Sequence, residues 1–506
     1  MKLPELFKGT KIISTVPQEN AAEIEISGIA INSVKVKKDY LFAAIPGFKK
    51  DGHDFIPEAI NNGACAIMLE KDIPLPEGIV RIMVKDCRKE LALVCRNFYR
   101  APSSGIILTG VTGTNGKTTS VFLLDSIFGT AGFKTAYITT VNAQIAGRQL
   151  TFDRTTPDSL ELNEFFADCI SEGIETAAME VSSHSIDLHR VDWLDFDYFL
   201  FTNLTQDHLD YHETMENYFS VKNRLFTGKE KDIFGGKGAA VNIDDIYGRE
   251  IASATALEKI TFGIDNPQAT LSATDIVSSI EGIDMTVNLK NSNSPSGAWS
   301  IKESKLHVKS LLCGYFNVYN ILGTLSIGIM AGIEISAILE GISRMPGVPG
   351  RFEKINTGRD TNVIVDYAHT PDGLENVLFT AHSLLPEGGR LISVFGCGGD
   401  RDRKKRKIMG SVSAEIADFT IITSDNPRTE DPVSIIKMIE EGFISMGNCS
   451  YKKITDRKEA IITALEMAGG KDIVLIAGKG HENYQEFADR KIHFSDQEVV
   501  RDWGKA

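Results

Sequence analysis

Short apolar runs alternate along most of the chain with stretches in which apolar residues recur at three- and four-residue intervals. The runs Ile106-Ile107-Leu108, Thr176 to Val181, Tyr198 to Thr202 and Ala239 to Ile243 read as buried strands, and Val121, Leu124, Ile127 and Phe128 fall at helical spacing behind the first. That alternation predicts an α/β nucleotide-binding domain. Before it, Tyr40 to Ile45 and Ala64 to Leu69 are broken by Pro-Gly and Asp-Gly-His turns, as in a small α/β domain. Between Thr270 and His307 the period changes to two around the polar Asn291 to Gly297 turn, which predicts an antiparallel insertion, and Val318 to Ile333 then reads as a helix. Beyond Met345-Pro346-Gly347-Val348-Pro349-Gly350, strands at Val363 to Val365, Arg390 to Phe395, Phe419 to Thr423 and Ile473 to Ala477 alternate with helical patterns, as in a Rossmann-like domain. With a Pro/Ser/Gly linker at 100–105, the expected domains are 1–102, 103–344 and 345–506. The fold class is α/β throughout, with a parallel sheet in the central domain.

Composition adds limits. With 506 residues, 42% apolar and 24% charged, the chain is of ordinary globular make-up and long enough for roughly three domains. No apolar run approaches the roughly 18 residues that span a bilayer, and Met1 to Thr15 has no basic flank leading into a long apolar stretch; membrane insertion is not expected and a cytoplasmic location is. The seven cysteines are scattered and never spaced Cys-x-x-Cys, so neither a disulfide framework nor a structural zinc site is expected. A formal charge of −14 disfavours nonspecific nucleic-acid binding. Any anionic ligand must be held by locally placed Lys, Arg and metal.

The chemistry begins at Gly110-Val111-Thr112-Gly113-Thr114-Asn115-Gly116-Lys117-Thr118-Thr119, at a strand-to-helix junction. There backbone N–H groups and a helix N-terminus offer fixed positive potential to phosphates, Lys117 reaches the terminal phosphates of ATP, and the Thr118 hydroxyl helps hold Mg²⁺. Val111 stands where common phosphate loops carry Gly. The alternative is a Gly-rich turn that binds nothing.

Glu180, in Met179-Glu180-Val181-Ser182-Ser183-His184, closes a strand whose end faces the expected ligand crevice and is a candidate Mg²⁺ ligand. Thr202 to His212 follows another strand and offers His208 as a second ligand, with His212 as a hydrogen-bonding residue either at the surface or behind the ligands. Lys222, taken alone, reads as a solvent-facing helical lysine. An ordinary strand end remains the alternative for the Glu180 segment.

With Thr155-Thr156-Pro157-Asp158, Gly314 to Asn320 and Asp366-Tyr367-Ala368-His369-Thr370-Pro371-Asp372, these blocks resemble in order the Mur ligases, densely from 105 to 485 and more thinly before. The likeness is to members that add the third peptide residue to UDP-N-acetylmuramoyl-L-alanyl-D-glutamate. It implies an ATP-dependent amide ligase of peptidoglycan precursor synthesis working through an acyl phosphate, with Mg²⁺ as cofactor. It implies ATP contacts from Gly113, Thr114, Asn115, Gly116, Lys117, Thr118 and Thr119, with Asn317 and Asn320 near the adenine, Arg351 at a phosphate and Asp366 at the ribose; Arg351 or His369 helps position the transferring group. Lys222 matches a carbamylated lysine that joins Thr118, Glu180 and His208 around Mg²⁺. Ser33, Thr155, Thr156, Ser182 and Arg190 match contacts to the UDP-muramoyl dipeptide. Asp425, Asn426, Pro427 and Arg428, with Arg401, Gly478 and Glu482, match the amino-acid site, and Asp-Asn-Pro-Arg accompanies meso-diaminopimelate in the family. Arg428 has a physical reason to be there, since that acceptor carries one more carboxylate than lysine. Taken singly, Asp-Asn-Pro-Arg and Gly478-Lys479-Gly480-His481-Glu482 also fit a solvated turn and a plain loop, and the basic run Arg401 to Lys407 reads as a mostly solvated helix start.

The chain departs from the family at Ile31-Asn32-Ser33-Val34, where Asp-Ser-Arg is usual, and at Phe48, Arg154 and Leu188. Lys49, Lys50 and His53 are candidate replacement donors to the UDP moiety. Rival functions are the same ligation with lysine or another diamino acid, a folylpolyglutamate-synthetase-like ligase, a phosphate-loop switch or motor ATPase, and an inactive scaffold. Domain closure and a monomer are expected.

Overall fold

The computed structural model describes residues 1–16, 21–48, 50–228 and 230–505. They form two compact units, one of Met1–Ser272, Leu289–Glu303 and Ile321–Gly341, the other of Ala273–Asn288, Ser304–Asn320 and Ile342–Ala506.

The first unit holds two large sheets, besides the short antiparallel pair Ser292–Asn293 and Ser300–Ile301. In the N-terminal one the strands run in the order Ile12–Val16, Val80–Val84, Ala64–Leu69, Tyr40–Ala43, Gly28–Ala30, parallel except for the first. In the second, Glu258–Ile264, Gly235–Asn242, Phe196–Phe201, Ile107–Thr112, Thr176–Glu180 and Thr135–Ile138 lie side by side and parallel, followed by the antiparallel pair Ala143–Ile145 and Arg148–Leu150. A parallel strand covered on both faces by crossovers must be apolar on both, which is why these strands read as runs rather than alternations. The order has a functional consequence. Thr176–Glu180 and Phe196–Phe201 flank the phosphate-loop strand, so the segments leaving their C-terminal ends meet the loop.

The stretch expected to be a linker is held in place. Ala101 takes a left-handed φ of 52°, Pro102 and Ser103 are buried, and Ser103 Oγ donates to Asp195 Oδ2 at 3.2 Å. Arg96 also reaches Asp195, at 3.2 Å, and Tyr99 donates to Glu164 at 3.0 Å, so the N-terminal sheet is fastened to the phosphate-loop sheet.

In the second unit a six-stranded sheet runs Glu353–Ile355, Asn362–Asp366, Ile473–Ala477, Leu391–Phe395, Phe419–Ile422, Tyr451–Lys453, parallel but for the first edge, as expected of a Rossmann-like domain. The expected antiparallel insertion forms strands Leu271–Ser279, Gly282–Leu289 and Ser304–Ser310. Its residues Ala273–Asn288 and Ser304–Asn320 group with this unit, where Ile280 and Cys313 join the core around Phe352, Ile364 and Leu378. All seven cysteines are free. No helix among the described residues is long and apolar enough to cross a membrane.

Candidate active site

The strand Ile107–Thr112 runs straight through Val111, which is fully buried and whose carbonyl accepts from Val181 N at 2.8 Å. Where many phosphate loops begin to turn, this one is still paired. The turn starts at Gly113, with φ 146°, where a Cβ would collide with Thr202 Oγ1, and ends at Gly116, with φ 84°, which caps the helix Lys117–Thr130. Thr114 N donates to Asn203 O and Asn115 N to Asn203 Oδ1, both at 2.9 Å, and Thr202 Oγ1 donates to Asn115 O at 2.6 Å. The segment after Phe201 therefore shapes the loop. Thr119 is buried in the first turn of the helix, and Lys117 Nζ donates to the loop carbonyls of Gly113, at 3.0 Å, and Thr114, at 2.7 Å.

Glu180 is buried and held by three donors. Thr118 Oγ1 and Thr140 N donate to its Oε1 at 2.7 and 2.8 Å, and Thr140 Oγ1 donates to Oε2 at 3.2 Å. Thr140 was not identified from sequence; the apolar run Ala136-Tyr137-Ile138 ahead of it was the available signal. Its hydroxyl also lies 3.1 Å from Thr155 Oγ1. Thr156 Oγ1 donates to Glu180 O at 2.9 Å and lies 3.3 Å from Ser182 Oγ, and Arg190 Nη1 donates to Thr156 O at 3.1 Å. Four of the residues matched to the muramoyl dipeptide thus form one network around Glu180.

At Lys222 the structure corrects only the reading of that residue taken alone. It is 1% exposed, not solvent-facing, because on the helix Met215–Asn223 it shares a stripe with buried Tyr218 and Phe219. Its Nζ donates to Thr112 Oγ1 at 3.2 Å and Gly113 O at 3.1 Å and lies 5.0 Å from the centre of the Tyr218 ring. Burial, reinforced by the charge of Lys117, drives its pKa well below that of an exposed lysine. His208, at φ 53°, packs edge-on to His184 with ring centres 4.9 Å apart, and burial followed by the charges of Lys117 and Lys222 lowers its pKa. Of the two places expected for His212, the surface is excluded, since it is buried; its Nε2 lies 2.9 Å from Ser183 Oγ and its ring stacks on Tyr218.

Among the described residues no three His, Cys, Asp or Glu side chains gather as a metal cage. The Glu180 carboxylate at its strand end and the Thr118 hydroxyl on the helix after the phosphate loop, 2.7 Å apart, do suit Mg²⁺, which keeps water and phosphate oxygens as most of its ligands.

In the second unit, buried Asp366 ends its strand and accepts from Phe352 N and Ala368 N, each at 2.7 Å. Burial raises its pKa, against the pull of Arg351 and those two N–H groups. The Arg351 guanidinium lies over the Tyr367 ring at 5.2 Å, and its Nε is buried without a hydrogen-bond partner among the described residues. His369 is exposed, with Nδ1 3.0 Å from Tyr367 O. Asn317 and Asn320 are buried, and Asn320 Nδ2 donates to Asn317 Oδ1 at 2.8 Å.

The amino-acid residues gather where three neighbouring strands of this sheet end. Arg428, at φ 49°, donates from Nε to Glu486 Oε2 at 3.0 Å and from Nη1 to Gly399 O at 2.9 Å. Asn426 Nδ2 donates to Glu482 Oε2 at 3.0 Å. Gly399 N donates to Asn426 O at 2.9 Å, and a Cβ at Gly399 would collide with Pro427 O. Gly478, at φ 118°, lies beside buried Asp425, and Arg401 is exposed. The basic run is corrected at one position. Arg406 is 0% exposed, donates to both oxygens of Glu430 at 2.9 and 2.8 Å, and lies on a helical stripe with Met409, Gly410 and Ser413. That spacing was the signal that would have found it.

In the first domain Ser33 Oγ donates to Glu58 Oε2 at 2.6 Å, and exposed Phe48 packs edge-on to Tyr211 at 6.3 Å. His53 is not a spare donor: Nε2 accepts from Glu70 N at 3.1 Å, leaving Nδ1 to donate to Asp51 at 2.6 Å. Lys50 lies 5.8 Å from the centre of the Phe55 ring, and Lys49 falls outside the described residues.

Three family descriptions match the chain: "Mur ligase family, catalytic domain" over residues 25–102, "Mur ligase middle domain" over 111–328 and "Mur ligase, glutamate ligase domain" over 350–480. The UDP-N-acetylmuramoyl-L-alanyl-D-glutamate–2,6-diaminopimelate ligase of Caldanaerobacter subterraneus is 41% identical over 99% of this chain and 98% of its own length. That of Clostridium botulinum is 43% identical over 96% of each. A solved structure of a ligase with this name is 30% identical, with a TM-score of 0.71 over 100% of this chain and 99% of its own.

Proposed function

Because the chain belongs to the Mur ligase family, we propose that it joins meso-2,6-diaminopimelate to the D-glutamate carboxylate of UDP-N-acetylmuramoyl-L-alanyl-D-glutamate, driven by ATP, in peptidoglycan precursor synthesis. The observation that carries the acceptor assignment is the hydrogen-bonded chain Arg428, Glu486, Asn426, Glu482, which sets a guanidinium and a carboxylate in one cluster of strand ends. A diamino diacid presents an ammonium and a carboxylate together at its far end, and this pair is complementary to both.

A free carboxylate is a poor acceptor for an amine. The D-glutamate side-chain carboxylate therefore attacks the γ-phosphorus of ATP, breaking its bond to the β-phosphate oxygen and giving an acyl phosphate and ADP. The amine then attacks the acyl carbon, loses its proton, and expels inorganic phosphate. Apart from those of Thr114 and Asn115, which go to Asn203, the N–H groups of Gly113 to Thr119 hold the phosphates, and with Lys117 they neutralise charge on the transferring group. Arg351 and His369 position that group, Asp366 takes the ribose, and Asn317 and Asn320 flank the adenine. Thr118, Glu180, His208 and Lys222 as its carbamate would hold Mg²⁺. When bound, Mg²⁺ neutralises charge across the phosphate oxygens. Thr155, Thr156, Ser182 and Arg190 orient the dipeptide, and Ser33 contacts the UDP end. Asp425, Asn426, Pro427, Arg428, Arg401, Gly478 and Glu482 bind the amino acid. We place the domain limits at 1–102, 103–344 and 345–506, and the protein as a cytoplasmic monomer.

Purified protein supplied with ATP, Mg²⁺ and the UDP-muramoyl dipeptide is expected to release phosphate and form the tripeptide product with meso-diaminopimelate. Equal use of lysine or ornithine would overturn the acceptor assignment. No amine-dependent phosphate with any of the three would overturn the ligase.

A further inference from the structure

Lys479 stands within Gly478-Lys479-Gly480-His481-Glu482 and is 0% exposed, yet none of the assigned roles uses it. Its Nζ donates to Asn426 Oδ1 and to Glu482 Oε2, both at 3.1 Å, lies 3.6 Å from Asp425 Oδ1, and sits 5.2 Å from the centre of the Tyr484 ring. Each partner is informative.

Asn426 Oδ1 also accepts from Glu486 N at 3.0 Å, so both bonds to that oxygen come from donors and the amide can turn only one way. Its Nδ2 therefore faces Glu482 Oε2, which then accepts from both Asn426 and Lys479. Oε1 of Glu482 takes no hydrogen bond among the described residues and is the oxygen left for an incoming ammonium. Asp425 Oδ1 is buried, has no hydrogen-bond partner among the described residues and has Lys479 as its ion-pair partner. The other buried cation nearby, Arg457, gives Nε and Nη2 to Asp496 at 2.8 and 2.7 Å, and Nη2 also donates to Ala477 O at 3.0 Å. It is already matched.

Two carboxylates, Asp425 and Glu482, thus share one ammonium, leaving one net negative charge, expressed at Glu482 Oε1. Without Lys479 the same corner would carry two negative charges. A bare ammonium, as in lysine, gains from that second charge; the zwitterionic end of a diamino diacid gains little, because its carboxylate is repelled as its ammonium is attracted.

We propose that Lys479 is a specificity-determining residue of the acceptor pocket. It cancels the charge of Asp425 and aims Glu482, so that the pocket prefers an acceptor ending in both an ammonium and a carboxylate. The assignment rests on the ligase function proposed above.

The test measures kcat and KM for meso-diaminopimelate and L-lysine with saturating ATP, Mg²⁺ and UDP-muramoyl dipeptide, alongside ATP binding by calorimetry. Lys479→Met is expected to raise the diaminopimelate KM about tenfold and to cut the diaminopimelate-over-lysine ratio of kcat/KM by a similar factor, with ATP affinity kept. Asp425→Asn added to Lys479→Met restores the charge balance and should recover part of that ratio, which a merely structural lysine would not allow. Asp425→Asn alone should move the ratio the opposite way, by raising the KM for lysine; this variant decides the matter if Lys479→Met does not fold. An unchanged ratio in a folded Lys479→Met protein, a double variant no better than the single one, or an unchanged ratio in Asp425→Asn would overturn the proposal. Wild-type protein inactive with both amines would instead overturn the ligase function, so the two failures are distinguishable.

Discussion

At the scale of single residues, the side chains hardest to foresee are charged groups placed on apolar faces. The sequence around Lys222 shows a lysine on a helix, and lysines there are usually solvated. Only the stripe Tyr218, Phe219, Lys222 marks it as buried, and the same holds for Arg406 behind Met409 and Ser413. Glu180 and the phosphate loop were legible because a strand end and a glycine turn are local patterns. The bonds from Thr140 to Glu180 join residues forty positions apart, and no local pattern reports them. The assignment of Lys222 as a carbamate predicts that Lys222→Ala abolishes most activity and that millimolar acetate or formate restores part of it; no rescue would contradict a carboxylate role. His481 gives a pH prediction. Burial first, and Arg351 second, lower its pKa from 6.5 to about 4. Between those values the unfolded chain binds the proton and the folded one does not, so stability rises with pH across the window and is lost as pH falls from 6.5 toward 4. The melting temperature should drop over that range, and His481→Asn should show a smaller drop; an equal drop would contradict the assignment.

Elements were legible in proportion to how far periodicity alone fixes them. The strands Ala64–Leu69 and Ile473–Ala477 match the expected limits, since runs buried on both faces and bounded by turns admit one reading. The strands Ile12–Val16 and Arg148–Leu150 were not identified: Arg148–Leu150 is a short, mostly polar edge strand, and Ile12-Ile13-Ser14-Thr15-Val16, although rich in β-branched residues, shows neither a period of two nor a continuous apolar run. The loop between Ile107–Thr112 and Lys117–Thr130 depends on one backbone position. Gly113→Ala would place a methyl group against Thr202 at φ 146°, so we expect a loss of about 1–3 kcal/mol in stability with ATP binding abolished. Chemical denaturation and ATP titration would check both, and a variant that binds ATP normally would refute the steric argument.

At the scale of the whole molecule, the phosphate loop belongs to one compact unit and the Asp-Asn-Pro-Arg cluster to the other. Arg428→Ala should therefore raise the KM for diaminopimelate at least about tenfold, the worth of a charged bidentate contact, while ATP affinity measured by calorimetry stays near wild type. Loss of ATP binding would contradict the role given to Arg428. The fastening of the N-terminal sheet through Asp195 bears on the other substrate. Ser103 and Arg96 both converge on that carboxylate, so the module assigned to the nucleotide end of the donor and the residues Thr155, Thr156, Ser182 and Arg190 assigned to its dipeptide end are set apart by a fixed span. On those assignments the first unit is expected to work as a caliper. A donor one peptide residue shorter should still seat its nucleotide, yet leave its terminal carboxylate short of the γ-phosphate, so that donors would be gauged by length as well as by chemistry.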